Sequence, residues 1–344
     1  MTATGAHDEM VALFHQQLEL CKVNAGETVA VLHDGSCLAD YARAFLDAAS
    51  ALGAEAVDVH LRPELENSLE ERFASFGTNA LDEHPDALAR CKDADMVVDL
   101  MVASFSPEEA AIKGAGSRIL LVCEEFDTLR RLLPTPALRA RTEASLARLR
   151  EAKRFRFTNA AGTDVSYAFG PSYTPLSEYG YTDEPGRWDH WPGGLAAHCP
   201  EDGSTQGRVV MAEGDIIYPR MEFVRQPIEF VVEDGRVTAI EGGEHADAVR
   251  RFMDDYDDPR AYDVSHIGWG TNEKCDWVLK GIGMDGRAYD GVVLFSLGPN
   301  LEFGGTNDTK CHMDLPMRHC TAYLDGEMII ENGVLLPDDL RTPA

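Results

Sequence analysis

No CxxC pair occurs among the eight cysteines, at positions 21, 37, 91, 123, 199, 275, 311 and 320, which are scattered along the 344 residues. That spacing excludes a small disulfide framework and a structural zinc knuckle, and it fits reduced thiols. Lysine is scarce as well: 7 of 31 basic residues, against 59 acidic ones and a formal net charge of −28. A surface this negative is repelled by phosphate backbones and anionic lipid, so neither nucleic acid nor a membrane is expected as a partner. Long apolar runs are missing. The strongest, Arg118-Ile-Leu-Leu-Val-Cys-Glu124, is far too short to span a bilayer. The opening ten residues have no basic stretch followed by an apolar one, so no secretory signal is expected and the protein reads as cytoplasmic. What is present is a 44% hydrophobic composition, enough for one large or two ordinary domains with sizeable cores, which excludes wholesale disorder.

The first 150 residues alternate strand and helix signals. Thr28-Val-Ala-Val-Leu32 is a short β-branched run ending in the turn cluster His33-Asp-Gly-Ser36, and residues 38–52 carry apolar side chains at helical spacing before Gly53. Further strands are expected at residues 56–60, 94–101 and 119–123. Such alternation implies right-handed crossovers and a parallel sheet covered on both faces. Neither GxGxxG nor GxxxxGK[ST] follows any of these strands, so a nucleotide pocket is not supported. A helix over residues 136–153, capped by Thr135 with Pro136 in its first turn, closes this half. Beyond it, residues 154–157 and 163–167 predict a hairpin, residues 206–240 are β-rich with a turn at Glu233-Asp-Gly-Arg236, and residues 244–256 form an amphipathic helix. Strands return over residues 291–335, with a second turn at Leu324-Asp-Gly-Glu327. The expected fold is α/β: an N-terminal parallel-sheet, Rossmann-like domain over residues 1–150, then an α+β, β-rich metal-binding domain over residues 151–344.

Three stretches of the second half concentrate ionisable and aromatic residues. In Lys310-Cys-His-Met-Asp-Leu315 an extended backbone projects His312 and Asp314 from one face, because side chains alternate with period two. Ser265-His-Ile-Gly-Trp-Gly270 reads as a loop able to bring His266 as a third ligand. Two imidazoles and a carboxylate suit either a non-haem Fe(II) centre with open positions or a catalytic zinc. Packing of His266 as a core histidine is the competing reading, and His319, Cys311 and Cys320 are rival ligands. The third stretch, residues 178–194, holds four Tyr or Trp residues among Glu178, Glu184, Arg187 and His190. Its Pro and Gly punctuation reads as an ordered loop, with aromatic walls and polar tips for a small planar ligand. Simple self-packing of that loop is the alternative.

Residues 178–193, 265–270, 295–300 (Phe-Ser-Leu-Gly-Pro-Asn) and 311–316 (Cys-His-Met-Asp-Leu-Pro) resemble the corresponding motifs of the 2,5-dihydroxypyridine 5,6-dioxygenase family, nearly end to end along the chain. That family opens an aromatic ring in bacterial nicotinate degradation. Its wider relatives are thermophilic metallo-aminopeptidases, which share the fold and bind two metal ions through extra glutamates. Where one such glutamate is expected this chain has His266, which favours a single iron. The resemblance implies Fe(II) ligands at His266, His312 and Asp314, and substrate-pocket residues at Glu178, His190, Arg287 and Ser296. It also implies an acid–base histidine before Ser106-Pro-Glu108, where this chain has Phe105. Phenylalanine cannot move a proton, so that role passes to His190 or the ring substrate differs.

The resulting expectation is an Fe(II)-dependent, ring-cleaving dioxygenase taking O2 and a hydroxylated N-heterocycle, most simply 2,5-dihydroxypyridine giving N-formylmaleamate, in a homo-oligomer. His190 and Glu178 are the catalytic candidates, and Phe105 joins the substrate-contacting set. Two rival classes remain: a metal-dependent aminopeptidase or amidohydrolase, which requires a further carboxylate ligand, and an aromatic-metabolite binding protein without turnover.

Overall fold

The computed structural model describes residues 3–35, 38–62, 68, 71–72 and 81–341; Ser36, the end of the first expected turn, and Cys37 fall outside these. The chain divides into two compact units, Met1–Pro134 with Tyr179–Gly193, and Thr135–Glu178 with Gly194–Ala344. Among the described residues, no helix is long and apolar enough to cross a membrane.

In the first unit, strands β1 (Thr28–His33), β2 (Glu55–His60), β3 (Met96–Asp99) and β4 (Arg118–Val122), numbered in chain order, pair in parallel in the spatial order β2-β1-β3-β4. Their continuous apolar runs follow from burial on both faces. Alternate residues supply two cores: Val29, Val31, Val98 and Leu120 face one side, while Ala30, Leu32, Val97 and Ile119 face the other. The helix Ala39–Ala51 ends where expected, and Gly53 takes a φ of 78° that side-chain-bearing residues rarely adopt.

The second unit is antiparallel. Its larger sheet orders β14-β13-β10-β6-β5-β18-β19-β20, with β5 (Arg154–Thr158), β6 (Asp164–Ala168), β10 (Gln206–Met211), β13 (Ile228–Glu233), β14 (Arg236–Glu241), β18 (Thr321–Leu324), β19 (Glu327–Glu331) and β20 (Val334–Leu335). Both Asp-Gly turns form as read. Asp234 and Gly235, and likewise Asp325 and Gly326, all have positive φ, as a two-residue hairpin turn requires. The smaller sheet orders β17-β16-β15-β9-β7, with β7 (Leu176–Glu178), β9 (Leu195–His198), β15 (Val264–Gly270), β16 (Val293–Leu297) and β17 (Met313–Met317). A separate two-stranded ladder joins β11 (Ile216–Ile217) to β12 (Glu222–Phe223). Phe155 of the larger sheet stacks on Trp269 of the smaller, with centroids 6.1 Å apart, inside one shared core.

Two sequence expectations change. A single boundary near residue 150 gives way to a break after Pro134, because the helix Pro136–Glu151 is tied into the second unit. Ser145 accepts from the Trp269 indole at 3.0 Å, and the hydroxyls of Thr142 and Thr271 meet at 2.8 Å. The second change concerns residues 178–194, which are not all loop. Trp188–Trp191 forms β8 and joins the first unit's sheet in parallel beside β4, with His190 in register with Leu121. Asp189, fully buried, makes this insertion possible. Its carboxylate accepts the backbone N–H of Gly180 at 2.9 Å and of His190 at 2.8 Å and pairs with Arg187 at 2.6 Å. Gly193 then crosses Gly180 so closely that a Cβ there would lie 2.2 Å from the Gly180 nitrogen.

Candidate functional site

In the second unit, the smaller sheet brings three of the sequence-selected residues together. Pairing of β15 with β16 shifts register between Val264 and Ile267, so one extra residue is accommodated around Ser265 and His266. A bulge of this kind re-aims a side chain. His266 is therefore a strand residue at a bulge rather than the loop residue its glycine and tryptophan neighbours suggested. His312 immediately precedes β17, and Asp314 lies within it, opposite Ser296 of β16.

The ligand atoms of His266, His312 and Asp314 all lie within 4.8 Å of one another, and among the described residues this is the group of His, Cys, Asp and Glu able to hold a metal. His312 Nε2 is 3.1 Å from Asp314 Oδ2, and His266 Nε2 is 3.7 Å from Asp314 Oδ1. All three are buried, at 5%, 4% and 3% exposure for 266, 312 and 314. The rival thiols Cys311 and Cys320 lie in the hydrophobic core, and the exposed His319 lines a separate cavity of about 340 Å³ beside Arg318 and Val334. No further glutamate joins the trio among the described residues, so the extra carboxylate that a two-metal peptidase centre requires is missing there.

The donor set suits a metal ion in its protonation as well as its placement. Ser265 Oγ donates its only proton to the Pro299 carbonyl, so towards His266 Nδ1, 3.1 Å away, it must act as acceptor. That fixes the proton on Nδ1 and leaves the Nε2 lone pair facing Asp314, the arrangement by which outer partners orient ligating imidazoles. Burial lowers the His266 pKa to about 4, keeping the ring neutral. Burial would raise the Asp314 carboxyl, but His312, the Arg287 guanidinium and His266 outweigh it and hold the group well below the usual carboxylate range. Two imidazoles and one carboxylate on one side of an ion leave its other positions open.

Arg287 and Ser296, which the motifs assigned to substrate, both engage this carboxylate. Arg287 Nε donates to Asp314 Oδ2 at 2.6 Å, and Ser296 Oγ donates to Oδ1 at 2.5 Å. Arg287 is itself fixed by the Ile282 carbonyl at 2.5 Å and by the Tyr218 ring, 4.2 Å from its guanidinium carbon. Tyr218 in turn pairs its backbone with Asp314 at 2.9 and 3.1 Å. Ser265 and Tyr218 are thus supporting residues that sequence reasoning missed. The Ser-His adjacency was a visible signal for the first, whereas nothing local marked the second. Glu178 ends β7, in register with Leu195 of β9, and is buried.

His190 and Phe105 belong to the first unit. His190 Nε2 is 3.7 Å from the Cys123 thiol, just beyond β4, and its ring lies 6.3 Å from that of Trp188. The Phe105 ring lies 6.2 Å from that of Trp188. Phe105 and His190 are thus both ring neighbours of Trp188, and the Tyr179 ring lies under the Arg187 guanidinium at 3.9 Å.

Comparison with known proteins identifies a family. A family model described as NicX, 2,5-dihydroxypyridine 5,6-dioxygenase, matches residues 9–337. A 2,5-dihydroxypyridine 5,6-dioxygenase of Pseudomonas putida is 36% identical, over 97% of this chain and 98% of that protein. The solved structure of 2,5-dihydroxypyridine dioxygenase from Pseudomonas putida KT2440 superposes with a TM-score of 0.91 at 35% identity, covering 97% of this chain and 99% of that one. Wild-type AmpT from Thermus thermophilus shares the fold, with a TM-score of 0.63 at 13% identity over 95% of this chain and 99% of that one.

Proposed function

The chain belongs to the 2,5-dihydroxypyridine 5,6-dioxygenase family, and from that premise we propose that it is an Fe(II)-dependent enzyme opening the ring of 2,5-dihydroxypyridine with O2. The observation that carries the family's chemistry onto particular residues is the buried trio His266, His312 and Asp314, with the His266 proton fixed on Nδ1. A ferrous ion held by these three would supply open positions where an ionised ring hydroxyl and O2 meet. The protein's own residues do the rest. Arg287 and Ser296 keep Asp314 ionised and oriented, acting on the reaction through the carboxylate they bind. His190 takes the proton of a ring hydroxyl, and Glu178 orients a ring substituent by hydrogen bonding. Phe105 offers an apolar face for a planar ring in place of a proton-transferring histidine.

Oxygen uptake by ferrous-reconstituted protein tests the reading. One O2 consumed per 2,5-dihydroxypyridine, lost on chelation of iron, supports it. Amide hydrolysis without oxygen consumption overturns it in favour of the hydrolase class. Phe105→His supplies a finer test. Restoring a proton-transferring group beside Trp188 is expected to raise kcat/KM on 2,5-dihydroxypyridine by about 10²-fold, the low end of what a positioned acid or base contributes. The same change is expected to lower turnover of a ring bearing an apolar substituent. Unchanged rates on both rings would remove Phe105 from substrate selection.

A further inference from the structure

The segment following β3 lies at the carboxyl end of the parallel sheet, the edge at which open α/β sheets hold their ligands. Two of its residues have left-handed backbone, Val102 at φ 62° and Phe105 at φ 58°. For a β-branched and a bulky side chain these are true outliers, which persist only where surrounding bonds over-determine them. Those bonds are visible. Asp99 is almost wholly buried and straddles Val102: one carboxylate oxygen accepts Met101 N–H and the other Ala103 N–H, both at 2.8 Å. Glu109 reaches back from the helix Pro107–Gly114 to accept Phe105 N–H at 2.6 Å. Ser106 Oγ donates to the Ala103 carbonyl at 2.7 Å and accepts Glu109 N–H at 3.1 Å. Each strained residue is thus flanked by side-chain bonds to backbone, and the ring so placed stands beside Trp188.

A carboxylate at the end of a central strand is costly there. Burial pushes the Asp99 pKa up to about 6, against the lowering effect of the Met101 and Ala103 amides. Both of its oxygens are spent on the backbone of this one turn. We propose that Asp99 is a positioning residue for substrate selection, holding Val102 in its left-handed conformation and so fixing where the Phe105 ring stands. The inference rests on the reading that Phe105 contacts the ring substrate.

Kinetics of four variants on 2,5-dihydroxypyridine and on a methyl-substituted 2,5-dihydroxypyridine test it, with iron content measured throughout. Asp99→Asn turns an N–H donor toward a backbone N–H, and misplacement of the ring by about 1 Å is expected to cost on the order of 10²-fold in kcat/KM. Discrimination between the two rings should narrow while iron occupancy stays at the wild-type level. Glycine adopts φ near 60° without strain, so adding Val102→Gly to Asp99→Asn is expected to recover roughly tenfold of that loss. A purely structural role would not produce that rescue. Wild-type kinetics in Asp99→Asn, or no recovery in the double variant, overturns the proposal. Phe105→Ala separates the two layers of the argument. If it shifts discrimination while Asp99→Asn does not, the clamp is wrong. If Phe105→Ala is silent, the pocket reading of Phe105 fails, and substrate selection through Asp99 fails with it. Should Asp99→Asn not fold, Glu109→Ala removes the acceptor of Phe105 N–H and is expected to narrow discrimination in the same way; unchanged discrimination there counts against the clamp.

Discussion

Asp314→Ala is expected to abolish both iron retention and oxygen-dependent turnover. The carboxylate is the only charged ligand of the trio, and it lies 3.1 Å from one imidazole and 3.7 Å from the other. Without it, two imidazoles face the ion beside Arg287, a charge of the same sign as the metal. The substitution also removes one acceptor from a buried guanidinium and from a buried hydroxyl, since Arg287 and Ser296 both bind this one group. Breaking a buried ion pair from one side typically costs about 3–5 kcal/mol, so thermal unfolding should move to lower temperature as well. Asp314→Asn separates the two effects. The carboxamide oxygen can still accept one of the two bonds, so stability should fall less than in the alanine variant, whereas the lost charge should still empty the centre. Iron measured per chain after reconstitution checks the claim. Full occupancy in a folded Asp314→Asn protein would show that the ligand set is wrong.

The extent to which the centre was legible in the sequence depends on which interactions are local. His312 and Asp314 are two residues apart, and the period of an extended chain alone places them on one face. The Asp-Gly hairpin turns and the doubly buried strands β1 and β4 are equally local facts, written in turn chemistry and in unbroken apolar runs. The bulge carrying His266 is a property of pairing with β16, so no reading of Ser265-His-Ile-Gly-Trp-Gly270 by itself could distinguish it from a loop. The strand Trp188–Trp191 was hidden for the same reason. Its sequence looks like an aromatic loop, and only a parallel partner distant along the chain, supported by the buried Asp189, makes it part of a sheet. Resemblance supplied Arg287 and Ser296 as residues of interest but not the atom they touch. Ser296 meets Asp314 because β16 and β17 lie in register at positions 296 and 314, whereas Arg287 reaches the carboxylate from the short helix Met284–Arg287.

The same distinction frames the expectation for His190→Ala. The imidazole belongs to a strand whose backbone is held by β4 and by the Asp189 carboxylate, so removing the ring leaves the strand's own anchors in place. The bond between Cys123 and His190 is lost, but the thiol is a weak partner at 3.7 Å and its removal should cost little stability. If His190 takes the ring-hydroxyl proton, turnover should fall on the order of 10²–10⁴-fold, the range for a positioned acid–base group. Iron content should not change, because His190 is not one of the three residues of the metal group. A packing role predicts the reverse pattern: a lower unfolding temperature with turnover per folded chain unaltered. Added imidazole sharpens the contrast. It can re-enter the space left by the alanine and accept a proton, so partial recovery of turnover in His190→Ala would mark the lost function as chemical. Normal turnover in the variant before any imidazole is added would return residues 178–194 to the self-packed aromatic segment that was the alternative reading of their sequence.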